Sequence, residues 1–151
     1  MSAQANITVF DGALTPVSHT LVGEGIERLA DGTLAARWKE SLSGVPDYAQ
    51  VRYTQMKRKL PSGVFRIECK VEVPVMESIS GQNSSGYTAP PKVAYVDTDS
   101  LVGFHHERSI STGRRLARQM LINILGSVST SVAPVTTGPA PELVDQLIQV
   151  S

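Results

Sequence analysis

The chain has 151 residues, 41% of them hydrophobic, which is enough for one ordinary domain with a core and excludes wholesale disorder. Its 14 Lys and Arg balance 14 Asp and Glu, so overall charge argues neither for nor against a nucleic-acid partner and only local distribution speaks. Cys69 is the single cysteine, which excludes an intrachain disulfide, and no run approaches the roughly 20 apolar residues of a membrane-spanning helix.

The first residues, MSAQANITVF, carry neither a basic start nor a long apolar run, so no signal peptide is expected. NITVFDG (6–12) reads as a short strand ending in an Asp-Gly turn, and PVSHTLVGEG (16–25) as its hairpin partner around Ser18 to Val22. GTLAARWKES contains a further strand with Trp38, and SGVPD is a turn. VRYTQMKRK (51–59) is a basic strand, followed by the turn residues LPSG (60–63).

VFRIECKVEVPV (64–75) alternates Phe65, Ile67, Cys69, Val71 and Val73 with Arg66, Glu68, Lys70 and Glu72, one apolar and one charged face. ISGQNSSGYTAPP (79–91) predicts a long exposed loop, and KVAYVDTDSLVGF returns to strand character. Leu116, Met120, Leu121, Ile124 and Leu125 then fall at helical spacing. They predict a helix over about 112–125, with Ser111 as N-cap and Gly126 as stop. Its Arg114, Arg115 and Arg118 read as a solvated face, as partners of acids on another subunit, or as part of an outer surface.

Ser127 to Pro141 reads as an extended connector broken by prolines, and PELVDQLIQV (141–150) as a last helix with Leu143, Leu147 and Ile148 on one stripe. Strands first and helices last indicate an α+β layer: an antiparallel sheet with helices over one face. The whole chain is one domain: an N-terminal hairpin (1–25), an antiparallel sheet (26–105), and C-terminal helices with their connector (111–151).

If the basic strand and the alternating strand pair so that Lys59 faces Val64, Lys57 lies opposite Arg66, Gln55 opposite Glu68 and Tyr53 opposite Lys70. Direct cross-strand partners share a face. That places Tyr53, Gln55, Lys57, Lys59, Arg66 and Lys70 on the uncovered face. A loop one residue different reverses one strand's faces. An antiparallel sheet usually has a wet face. Here, however, residues 51–72 hold six Lys or Arg against two Glu, and like charges directly opposite need a counter-charge. With Tyr53 and Tyr95 as stacking surfaces, the pattern points to single-stranded RNA.

The ordered series ITVFDG, PVSHTLV, Trp38 with KES, the basic strand, KVEVPV, the loop, the strand with Tyr95 and the Arg-bearing helix resembles the coat proteins of single-stranded RNA bacteriophages, the levivirus-type family. The resemblance implies an N-terminal hairpin, a five-stranded antiparallel sheet and two C-terminal helices that interlock with a partner subunit. It implies obligate homodimers with the sheets joined edge to edge, an icosahedral shell assembled in the bacterial host cytoplasm, and a virion that also holds a maturation protein. The bare sheet face would bind the genome and, in a translational role, an RNA hairpin. It implies RNA contacts at Lys70, Arg66, Lys57, Lys59 and Tyr95, and a dimer interface at Leu116, Met120, Leu121, Ile124 and Leu125. Glu68 stands where the best-known relatives carry a neutral residue, so general packaging is expected without their hairpin preference. Loop 79–91 would lie at contacts between dimers.

His105-His106-Glu107 reads as a loop before the helix, because neighbouring strand residues point to opposite faces and rarely share a metal. No phosphate loop, C-x-x-C or H-E-x-x-H occurs. Neither an enzyme nor a cofactor is expected. The competing reading is a cellular RNA-binding module that does not assemble.

Overall fold

The structure, a computed structural model, describes residues 3–77, 84–86 and 90–151. The loop predicted over 79–91 falls largely outside them. Six strands form one antiparallel sheet in chain order: β1 (Ile7–Phe10), β2 (Ser18–Arg28), β3 (Leu34–Glu40), β4 (Arg52–Lys59), β5 (Val64–Met76) and β6 (Val93–His106). The count exceeds the expected five because β2 runs for 11 residues. Its first half pairs with β1 and its second with β3, with Leu21 facing both Ile7 and Glu40, so the N-terminal hairpin merges into the sheet.

Helix α1 (Ser111–Leu125) matches its predicted span and stops at Gly126. Ser111 is its first helical residue rather than its cap. Ile110 takes the cap position with extended backbone, and its carbonyl accepts from the Arg114 N–H at 3.2 Å. The predicted last helix is shorter and begins earlier: helical turns Pro139–Pro141 run into a π-helical stretch, Glu142–Gln146. Leu147 then takes a left-handed conformation and ends it. A ten-residue helix is marginal on its own; tertiary contacts hold this segment instead. Leu143 and Val144 pack on Ile67 beside Cys69 and Leu101, and Val150 joins Leu21, Ala36, Trp38 and Tyr53. The final stripe therefore finds its cover within the same chain.

These contacts define a covered sheet face. On β5 it carries Phe65, Ile67, Cys69 and Val71, as the alternation requires. The partners of these residues on β6 are His105, Gly103, Leu101 and Asp99. At Gly103 an added Cβ would stand 3.0 Å from Ile67 Cγ1 and 2.8 Å from His105 Nε2. The missing side chain is what lets Ile67 fill that spot.

Candidate nucleic-acid interface

The turn between β4 and β5 decides which side chains share the uncovered face. The Leu60 N–H donates to Val64 O at 2.8 Å and the Gly63 N–H to Leu60 O at 2.9 Å, with Gly63 at φ +80°. This is a three-residue hairpin loop ending in a left-handed glycine. Lys59 therefore faces Phe65, not Val64, and the pairing moves by one residue along the whole ladder. β4 turns over relative to the sequence expectation.

Four expected RNA-facing residues move to the covered face as a result. Tyr53 now faces Val71, and Gln55 faces Cys69. Both are buried, and neither side chain finds a hydrogen bond of normal geometry. Burial pushes the Tyr53 hydroxyl well above its usual range and raises the Cys69 thiol. Lys57 faces Ile67, lies near the Phe65 ring and donates to Leu147 O at 2.6 Å. Burial lowers its pKa. Lys59 sits at the rim of that face, near the Phe65 ring and 3.0 Å from Glu107. Tyr95 is exposed but pairs with Val75, on the side away from Arg66 and Lys70.

Arg66 and Lys70 occupy the uncovered face as expected. Across from them on β4 stand Arg58 and Thr54, with Met56 and Arg52 opposite Glu68 and Glu72. The like-charge pair foreseen for Lys57 and Arg66 is in fact Arg58 and Arg66. β3 contributes Arg37 and Lys39, which pair with Thr54 and Arg52. These four cations were missed. In β3 the alternation of Leu34, Ala36 and Trp38 with Arg37 and Lys39 carries the signal; for Arg52 and Arg58 the signal was hidden behind the loop count. A hollow of about 450 Å³ opens between Lys39, Arg52, Thr54, Met56, Lys70 and Glu72.

Each cation of this face has a carboxylate beside it. Arg66 meets Glu68 at 2.6 Å and Lys70 meets Glu72 at 3.1 Å, both along β5. Arg37 pairs with Glu27, and Arg58 with Asp31 at 3.0 Å. Lys39 reaches Glu24 at 2.8 Å and Asp47 at 2.5 Å, and Asp47 also meets Arg52 at 3.2 Å. The bond from Lys39, above all, holds the Asp47 carboxyl below its ordinary value, and Asp47 in turn raises Lys39. Among the described residues this face carries six cations and six carboxylates.

On the other side of the sheet, α1 is amphipathic in an unusual sense. Its buried residues are Arg114 and Arg118. Arg118 Nε and Nη2 donate to the two oxygens of the fully buried Asp145 at 2.8 and 2.9 Å, and Arg115 Nε donates at 3.1 Å. Arg114 Nε donates to the Asp145 carbonyl at 2.8 Å. Of the three sequence readings of these arginines, pairing with an acid is right, but the acid belongs to the same chain. Leu116, Met120, Leu121, Ile124 and Leu125 are all exposed, Ile124 at 68% and Leu125 at 76%, with Leu121 and Leu125 bordering an open hollow beside Cys69, Val71 and Leu101.

His105 and His106 belong to the end of β6 rather than to a loop, on opposite faces. Glu107 bonds to Lys59. Among the described residues no group of His, Cys, Asp and Glu is arranged to hold a metal ion.

The family model described as Levivirus coat protein matches residues 2–141. The virus-like particle of bacteriophage EMS014 has a subunit 32% identical to this chain, covering 93% of it and 88% of its own length, with a TM-score of 0.71. That of bacteriophage ESE058 is 24% identical over 97% of this chain and 98% of its own, with a TM-score of 0.68. The bacteriophage GA capsid protein is 14% identical, covers 95% of both chains and has a TM-score of 0.56. No curated protein matches the chain.

Proposed function

As the chain belongs to the levivirus coat protein family, we propose that it forms homodimers which assemble into an icosahedral shell, with single-stranded RNA packaged against the uncovered sheet face. The observation that carries this reading is the outward apolar stripe of α1. A helix normally turns such a stripe toward a core; here Leu116, Met120, Leu121, Ile124 and Leu125 face solvent while arginines face inward. A second subunit is the natural cover. Nearby, β6 is a 14-residue edge strand with, among the described residues, a partner on one side only, and pairing with its symmetry mate would remove an aggregation-prone edge. Joined there, two uncovered faces would form one continuous floor.

RNA would meet Arg66, Lys70, Arg52, Arg58, Arg37 and Lys39 on that floor. Contacts of this kind go to phosphate and carry little sequence information. Glu68 among them disfavours a relative's operator hairpin, so packaging is general and any translational repression is weak. The particle is the virion, assembled in the host cytoplasm with a maturation protein as minor partner.

The test is size-exclusion chromatography of the chain expressed alone in bacteria, with absorbance read at 260 and 280 nm. Elution at the void volume with a nucleic-acid-dominated ratio is expected. Elution as a monomer or dimer with a protein-like ratio, at high protein concentration and low salt, would refute assembly and favour a small binding module.

A further inference from the structure

We infer that the carboxylates of the uncovered face, Glu68 and Glu72 foremost, are built-in competitors of RNA phosphate that set how weakly and how non-selectively this shell grips its cargo. The inference rests on the RNA reading above and adds a control to it. Six cations and six carboxylates leave the face with no net charge, although its strands and turns concentrate much of the chain's basic character. Each carboxylate lies at bonding distance from a cation, so each cation is answered before any RNA arrives.

The geometry allows the exchange. Arg66 is 38% exposed against 13% for Glu68, and Lys70 and Glu72 are 28% and 30% exposed; ion pairs with one or both partners open to solvent contribute little to stability. A phosphate can therefore replace a carboxylate at Arg66 or Lys70 without a large loss. The gain is correspondingly small, because the displaced carboxylate stays tethered nearby and repels the incoming strand. Glu68 and Glu72 sit two residues from their cations on the same strand and face, so rotation of a side chain cannot carry them off the floor.

Salt dependence reads this directly. Six free cations on single-stranded RNA would give a slope of log K against log salt near −4, at about −0.7 per phosphate neutralised. The wild-type chain is expected to give a markedly shallower slope. Glu68→Gln with Glu72→Gln keeps the side-chain shapes and frees Arg66 and Lys70. It is expected to steepen the slope by about 1.4 and to tighten binding on the order of tenfold at 50 mM salt.

The experiment titrates full-length protein, freed of nucleic acid, with a fluorescein-labelled 20-nucleotide polyuridylate between 50 and 400 mM salt. A second pair, Glu27→Gln with Asp31→Asn, frees Arg37 and Arg58 and acts through different residues should the first pair fold poorly. Steeper slopes and tighter binding in either pair support the inference. Wild-type binding that neither pair alters overturns it and leaves the RNA reading standing. No binding by wild type or any variant overturns the RNA reading and this inference together.

Discussion

Asp145→Asn removes the charge of a fully buried side chain, and the structure fixes what is left behind. Arg118, its side chain 6% exposed, loses the charged half of a two-bond clamp. Breaking a buried ion pair by removing one partner costs about 3–5 kcal/mol, because the other charge stays buried. Two features put this case at the low end. Arg118 keeps a bond to Val135 O at 2.7 Å, and Arg115 reaches solvent. A loss of about 3 kcal/mol corresponds to a fall in Tm of about 6–12 °C for a chain of this length.

Thermal unfolding at fixed protein concentration measures it, since any self-association would make Tm concentration-dependent. A companion, Arg118→Met with Asp145→Leu, removes both charges and should recover at least half of the loss. Acid gives the same answer without a mutation. Burial opposes ionisation of Asp145, but the bonds from Arg118 and Arg115 outweigh it and hold its pKa below the ordinary value. The clamp is therefore fully present above about pH 4 and is lost as pH falls through the depressed folded value. A Tm shift below about 3 °C for Asp145→Asn, or a double variant no better than the single, would refute the clamp as a stabilising element.

His19 ties the N-terminal hairpin to the sheet through Glu40 at 2.8 Å and Asp11 at 3.3 Å, and these bonds, Glu40's first, raise its pKa. A raised histidine stabilises below its unfolded value of about 6.5 and loses that contribution as pH climbs through the folded value. Amide exchange in β1, corrected for intrinsic rate, should quicken above neutrality, and His19→Gln should abolish that dependence. Gly103→Ala forces a Cβ against Ile67 and should destabilise by about 1–3 kcal/mol in urea unfolding; a neutral result would mean the core there is loosely filled. Ile124→Asp places a charge in the outward stripe and should leave the chain soluble but unable to form particles, as light scattering would record. Intact particles would remove α1 from the subunit interface.

Much of the fold was legible because its signals are local. The alternation in β5 fixed which side chains face the core, and apolar spacing with Gly126 fixed α1 almost to the residue. The β4 face was not legible, since it hangs on whether the Leu60–Gly63 turn spends three residues or four, and a left-handed Gly63 settles that only in three dimensions. Four of the seven residues expected to face RNA moved to the covered face through that one residue, and Arg52 and Arg58 took places on the uncovered face. The inward arginines of α1 escaped for a different reason. Their partner Asp145 lies 27 residues from Arg118, in a segment whose helical spacing suggested a free-standing stripe.

An isolated monomer that buries arginines and exposes Leu and Ile has spent its polar contacts on holding its own last segment in place. That is sensible only if the apolar stripe is promised elsewhere. The Arg–Asp145 clamp ties α1 to the last segment, and Leu121 and Leu125 line a hollow shared with Cys69, Val71 and Leu101. A rigidly aimed stripe loses less freedom on association than a loose one. The clamp's contribution to a monomer's stability and its contribution to assembly are therefore separable. Asp145→Asn chains held below their melting temperature should still be folded, yet assemble at a higher threshold concentration than wild type. An unchanged threshold would mean that α1 finds its partner without the clamp's aim.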